Sequence, residues 1–254
     1  MKVLIVYAHP TPSSLNGTLK DHALKILKEE GHELQVSDLY LMKWKAVVDA
    51  EDFPSHSDSS PLNVVFASGE AYTTGTQAKD VAVEQEKLLW ADAIVFQFPL
   101  WWYGVPAILK GWIERVYAYR FAYGYKDGTN AYRFGEGILS GKRAFVSVTT
   151  GGSEADYGPR GINGPLDQLL FPLTHGALFY PGMEVLPIFA VHAAMFLDEA
   201  GLCAAKSALG ERLKRLFIEE PTRFRRQNGG DYPDRHTLAD HIAPEISGLP
   251  AHVA

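Results

Sequence analysis

Five strand-like runs recur along the chain, and most of the segments between them carry apolar residues at helical spacing. KVLIVYA at 2–8 is apolar almost throughout, as expected of a strand buried on both faces. Residues 16–30 place Leu19, Ala23, Ile26 and Leu27 on one helical face and stop at Gly31. ELQVSDL at 33–39 reads as a second strand, and 45–76, rich in Ser, Asp, Pro and Gly, as a long loop. A helix over 77–91 has Val81, Leu88 and Leu89 on one side. AIVFQF at 93–98 is a third strand. The helix over 105–118 opens at Pro106. RAFVSVTT at 143–150 is a fourth strand, and Pro172 should interrupt a helix over 164–182. A fifth strand at 183–191 and an amphipathic helix over 198–218 follow. This alternation predicts an α/β fold: a doubly wound, five-stranded parallel sheet with helices on both faces, over residues 1–220. After Pro221 the pattern lapses, and 221–254 reads as an irregular C-terminal extension.

Ligands of such sheets sit beyond the carboxyl ends of the strands. Those exits are HPTPSSLNGT (9–18), the 45–76 loop, PLWWYG (99–104) and TTGGSEADYG (149–158). The first is rich in hydroxyls and feeds a helix N-terminus, which suits a phosphate; Ser14 or Asn16 would equally serve as the helix cap. The third concentrates aromatic side chains where Pro99 must end a strand. The fourth has two glycines that let backbone N–H groups approach a flat ligand. Together they describe a wall and an edge for a planar cofactor.

The chain has 254 residues and a net charge of −6, which disfavours a nucleic-acid partner, and its one cysteine, Cys203, excludes an internal disulfide. The opening apolar run is too short for a signal sequence or a membrane span, so a cytoplasmic protein is expected. No G-x-G-x-x-G, P-loop or G-x-S-x-G motif occurs. Glu84, Glu86 and Lys87 read as a solvated helix face, His236 and His241 as solvated tail residues, and Trp90, Trp112 and Phe145 as core.

FQFPLWWYGVPAILKGWIERVYAYRFAYGY, followed by VTTGG and Tyr157, resembles the NAD(P)H:quinone oxidoreductase (DT-diaphorase) family of flavodoxin-like flavoproteins. VYAHPTPSSLN, SDLY, VEQEKLLWAD and GINGPLDQLLFPLTHGALFYPG extend the resemblance over residues 1–220. It implies two-electron, ping-pong hydride transfer from NADPH or NADH through FAD, or FMN as in smaller relatives, to quinones or other flat aromatic acceptors. His9, Ser14, Leu15 and Asn16 would hold the pyrophosphate side, and Asn63 aligns loosely with an adenine contact. Pro99, Leu100, Trp101, Trp102 and Tyr103 would wrap the isoalloxazine, and Thr149, Thr150, Gly151, Gly152 and Tyr157 its pyrimidine edge. Gly151, Gly152, Tyr157 and Asn163 are the expected catalytic set; Trp102, Tyr103, Tyr123, Tyr125 and Tyr180 would bind the substrate. The family also implies a homodimer with shared active sites, in which Tyr123 and Tyr125 would face the flavin of the other subunit. Asn163 stands where well-studied members have a proton-donating histidine. One branch binds zinc through two histidines and a cysteine; here His175 is joined by Phe179, and Cys203 lies in another segment, so no metal is expected. Two other readings are a flavin-binding regulatory subunit of a membrane ion-efflux system, whose only link to a membrane would be that transporter, and a one-electron flavodoxin-type carrier.

Overall fold

Alternation of apolar residues within each buried strand sends successive side chains to opposite faces, and both faces are covered. The computed structural model describes residues 1–56 and 61–254. In β1 (Lys2–Tyr7), Val3 and Ile5 pack beneath helices α1 (Leu15–Glu29) and α7 (Glu199–Lys214), against Leu19, Leu27, Leu209 and Leu213. Leu4 and Val6 point the other way, toward Leu88 of α3 (Lys79–Trp90) and Leu109, Trp112 and Ile113 of α4 (Ala107–Val116).

The sheet is wholly parallel. β1 lies between β2 (Glu33–Asp38) and β3 (Ala93–Pro99), and β3 pairs β4 (Arg143–Thr149) in the register Ala93 to Arg143. The order β2-β1-β3-β4-β5 is the flavodoxin-type doubly wound order, with its switch point between β1 and β3. The expected fifth strand is split into β5 (Glu184–Val185) and β6 (Phe189–Val191), both paired to β4. Pro187 between them has no N–H to give the ladder. The helix expected over 164–182 is broken as well: α5 (Leu166–Leu169), α6 (Phe171–Leu173) with Pro172 in its first turn, and a π-turn at Thr174–Phe179.

Three expectations are corrected. The 45–76 segment is not loop throughout: it holds a 3₁₀ turn at Ala50–Asp52 and a helix, α2 (Val64–Thr74). Asn63 caps α2 through Phe66 N–H at 3.2 Å, and Gly75 closes it at φ 68°. Residues 57–60 of that segment lie outside the described residues. Glu84 is not solvated but fully buried, accepting from Trp112 Nε1 at 2.8 Å and Lys87 Nζ at 2.6 Å; a carboxylate that deep needs such partners. Leu89 is exposed, whereas Val81 and Leu88 are core. Arg115 is buried between Asp52 and Asp80, each 2.7 Å away, and ties the 45–53 segment to α3.

Residues 221–254 form little regular structure but dock firmly. Thr222 N–H donates to the Val185 carbonyl at 2.8 Å, and Phe224 packs on Phe171, His175 and Phe179. Gln227 is buried and bonded to Arg133 and Asn130. His236 and His241 are exposed. Among the described residues no helix is long and apolar enough to cross a membrane.

Candidate functional site

A buried chain of amides fixes three strand exits against one another. Gln97 Nε2, at the end of β3, donates to Asn16 Oδ1 at 2.8 Å, and Asn16 Nδ2 donates to Thr149 Oγ1 at 2.8 Å. Gln97 gave no signal in the sequence beyond a polar residue inside an apolar run; its buried amide requires a partner. The side chains of Asn16 and Thr149 therefore point inward, and what they offer a ligand is backbone.

That backbone is free. Ser14 caps α1 by accepting from Gly17 N–H at 3.2 Å, and Thr18 N–H returns to the Ser14 carbonyl. The N–H groups of Leu15 and Asn16 have no partner among the described residues and point out of the helix start, where the macrodipole favours an anion. Gly17 is required here, since a Cβ would lie 1.8 Å from the Pro12 carbonyl oxygen. His9 accepts from Thr11 N–H through Nδ1 at 3.0 Å, and its ring lies 6.0 Å from Trp101.

At the β3 exit the structure gives the aromatic cluster an unusual backbone. Pro99 is the last, buried residue of β3, and Leu100 is half-buried against the core. Trp101 N–H bonds the Gly104 carbonyl at 3.0 Å and Gly104 N–H bonds the Trp101 carbonyl at 3.1 Å. The two residues inside this tight turn, Trp102 and Tyr103, have φ of 49° and 61°. Such a turn prefers Asn and Gly, because a Cβ at positive φ costs energy. Two bulky aromatics hold it here, with Trp102 98% exposed and Tyr103 52% exposed. Strain of this kind concentrates at functional sites.

At the β4 exit, Leu100 N–H reaches the Thr149 carbonyl at 2.8 Å and so joins the turn to the Thr149–Gly152 segment. The N–H groups of Gly151 and Gly152 have no partner among the described residues. A Cβ on Gly152 would meet Asp156 Oδ2 at 2.9 Å and Tyr157 at 3.1 Å. Tyr103 Oη donates to Asn163 Oδ1 at 3.0 Å, which leaves the Asn163 amide nitrogen as a donor beside Gly152. His192, not singled out in the sequence, stacks on Tyr157 with centroids 5.5 Å apart.

The structure thus gathers His9, Ser14, Leu15, Asn16, the 99–103 residues, Thr149–Gly152, Tyr157 and Asn163 around one edge of the sheet. It does not bring the three pocket tyrosines there. Tyr123 packs on Tyr119 at 5.4 Å, and Tyr180 sits edge-on to Phe134 at 4.9 Å. Among the described residues, neither they nor Tyr125 share a hydrogen bond or ring contact with the site. Asn63 is occupied as the cap of α2. His175 lies between Phe134 and Phe171, at 4.7 and 4.6 Å, and burial holds its pKa down to about 4; Cys203 is exposed on α7.

The profile of the family described as Flavodoxin-like fold matches residues 1–213. A solved structure described as a putative quinone reductase, from Klebsiella pneumoniae, is similar at 51% identity and a TM-score of 0.96, covering 100% of both chains. The ribosyldihydronicotinamide dehydrogenase-like protein traD of Penicillium crustosum is 49% identical over 99% of this chain and 95% of its own. Human ribosyldihydronicotinamide dehydrogenase [quinone] is 40% identical over 87% of this chain and 94% of its own. Rat NAD(P)H dehydrogenase [quinone] 1 is 35% identical over 88% of this chain and 80% of its own.

Proposed function

This chain belongs to the flavodoxin-like fold family, among the quinone dehydrogenases, and on that premise we propose that it is a flavin-dependent NAD(P)H:quinone oxidoreductase. The observation that carries the reading is the Trp102–Tyr103 turn: two aromatics held at positive φ, exposed, beside two glycines with free N–H groups. A flat ring with polar edge atoms satisfies both. The residues present fit a flavin, which we propose is FAD. Leu15 and Asn16 N–H groups suit its pyrophosphate, Trp102 and Tyr103 its ring face, and Gly151 and Gly152 N–H groups its pyrimidine edge.

When bound, the flavin supplies hydride acceptance from the reduced nicotinamide and hydride delivery to the quinone. The chain's own part is electrostatic and positional. With the flavin held as proposed, the Gly151 and Gly152 N–H groups and the Tyr157 hydroxyl would serve as donors where negative charge develops; one donor of this type is worth roughly 2.7–4 kcal/mol. Asn163 holds no proton to give near neutral pH, so it acts as a hydrogen-bond donor beside Gly152 and as the anchor of Tyr103. The open face at Trp102 admits donor and acceptor in turn, as ping-pong exchange requires.

Tyr123, Tyr125 and Tyr180 stand apart from the site in one chain, so in this reading they form the acceptor wall of a second copy in a cytoplasmic homodimer. A monomer by light scattering at micromolar concentration would remove them from the site. Heat release and chromatography of the bound flavin distinguishes FAD from FMN. A second reading concerns the donor: the 49% and 40% relatives are named for ribosyldihydronicotinamide. The ratio of kcat/KM for that donor against NADH and NADPH decides it. Co-purification with a transporter, with no quinone turnover, would instead favour the regulatory-subunit alternative.

A further inference from the structure

The turn assigned to the flavin edge is itself held from behind. Residues 191–194 leave β6 and run along Thr150–Gly152. Thr150 N–H donates to the Val191 carbonyl at 2.9 Å, Ala193 N–H to the Gly152 carbonyl at 2.8 Å, and Ala194 N–H to the Thr150 carbonyl at 2.9 Å. Ala193 takes φ 50° to make the last two bonds from adjacent residues. These bonds consume the Thr150 and Gly152 carbonyls, while the Gly151 and Gly152 N–H groups are left without a partner among the described residues.

His192 adds a side-chain tie. Its Nδ1 lies 2.9 Å from Thr150 Oγ1, and that hydroxyl donates to the Gly152 carbonyl at 3.0 Å. A hydroxyl has one proton to donate. With it directed at Gly152, the imidazole Nδ1 must carry the hydrogen, and Nε2 is the acceptor in the neutral ring. The same ring lies against Tyr157 at an interplanar angle of 28°. One imidazole therefore touches both donors of the proposed edge: the Thr150–Gly152 turn through a hydrogen bond, and Tyr157 through its face.

We infer that His192 is a positioning residue for the flavin edge, holding the Thr150–Gly152 turn in the shape that leaves the Gly151 and Gly152 N–H groups free; this rests on the flavin reading above. Burial keeps the ring's pKa below the ordinary histidine value, against a smaller opposing effect of the Glu154 carboxylate. Glu154 and Tyr157 are the ionisable groups that face it. Imidazole and imidazolium both keep Nδ1–H, so the tie holds in either protonation state.

Three variants of the full chain test this: His192→Asn keeps an N–H donor without the ring, His192→Phe keeps a ring without the donor, and Thr150→Val removes the other end of the tie. Flavin dissociation is followed by flavin fluorescence, and the Gly151 and Gly152 amide resonances are followed in flavin-free protein. One lost hydrogen bond corresponds to about three- to tenfold in affinity. His192→Phe and Thr150→Val should each weaken flavin binding by about that factor and shift both glycine resonances. The double variant should lose no more than either single one, and His192→Asn should stay within about twofold of the native chain. Native-like binding by His192→Phe, equal loss in His192→Asn and His192→Phe, or additive losses in the double variant would each overturn the inference. A native chain that binds no flavin would overturn the flavin reading first, and the inference with it.

Discussion

Trp102→Asn should move stability and cofactor affinity in opposite directions. Trp102 is 98% exposed, so its removal from one chain uncovers almost no core. It sits at φ 49°, where a non-glycine side chain costs roughly 1–2 kcal/mol and where asparagine is tolerated best after glycine. Relief of part of that strain, about 1 kcal/mol, raises Tm by roughly 2–4 °C for a chain of this size. The ligand side runs the other way. One face of an indole presents about half of the 150–250 Å² that its side chain can bury, so about 75–125 Å². At about 25 cal/mol per Å² this is roughly 2–3 kcal/mol, or about 30- to 140-fold in the flavin dissociation constant. Differential scanning calorimetry of the flavin-free protein and fluorescence titration with flavin read the two effects separately. A lower Tm with unchanged flavin affinity would refute the reasoning, because the indole would then serve the fold and not the ligand.

Two further outcomes follow from buried groups. Gln97→Leu leaves the Asn16 side-chain Oδ1 buried without its donor, and urea unfolding should show a loss of roughly 1–3 kcal/mol at unchanged m-value. His175, held by burial at a pKa of about 4, stays neutral in the fold while the unfolded chain protonates near about 6.5; stability should therefore fall as pH drops from about 6.5 toward 4, and His175→Phe should flatten that limb of the Tm-versus-pH curve.

The parallel sheet was legible because β1, β3 and β4 are apolar on both faces, and the exits carrying the candidate site were legible because Pro99, Gly151 and Gly152 break those runs. Helix α2 was hidden because Val64, Val65 and Phe66 are exposed and leave no apolar stripe; its caps, Asn63 and Gly75, were the available signal. The burial of Glu84 was invisible because one of its two partners, Trp112, comes from a different helix. His192 was missed for the same reason: Thr150 and Tyr157 meet it only once β4 and β6 pair. The inward turn of Asn16 likewise depends on Gln97, which lies on β3, a strand distant in sequence.

The central claim is hydride exchange through a flavin at the Trp102–Gly152 edge. Stopped-flow absorbance of the flavin-loaded protein tests it most directly. Saturating reduced nicotinamide should bleach the flavin within seconds, and a quinone added afterwards should restore the absorbance, with parallel lines in the double-reciprocal plots of turnover. A flavin that stays oxidised under saturating NADH, NADPH and ribosyldihydronicotinamide would contradict the account.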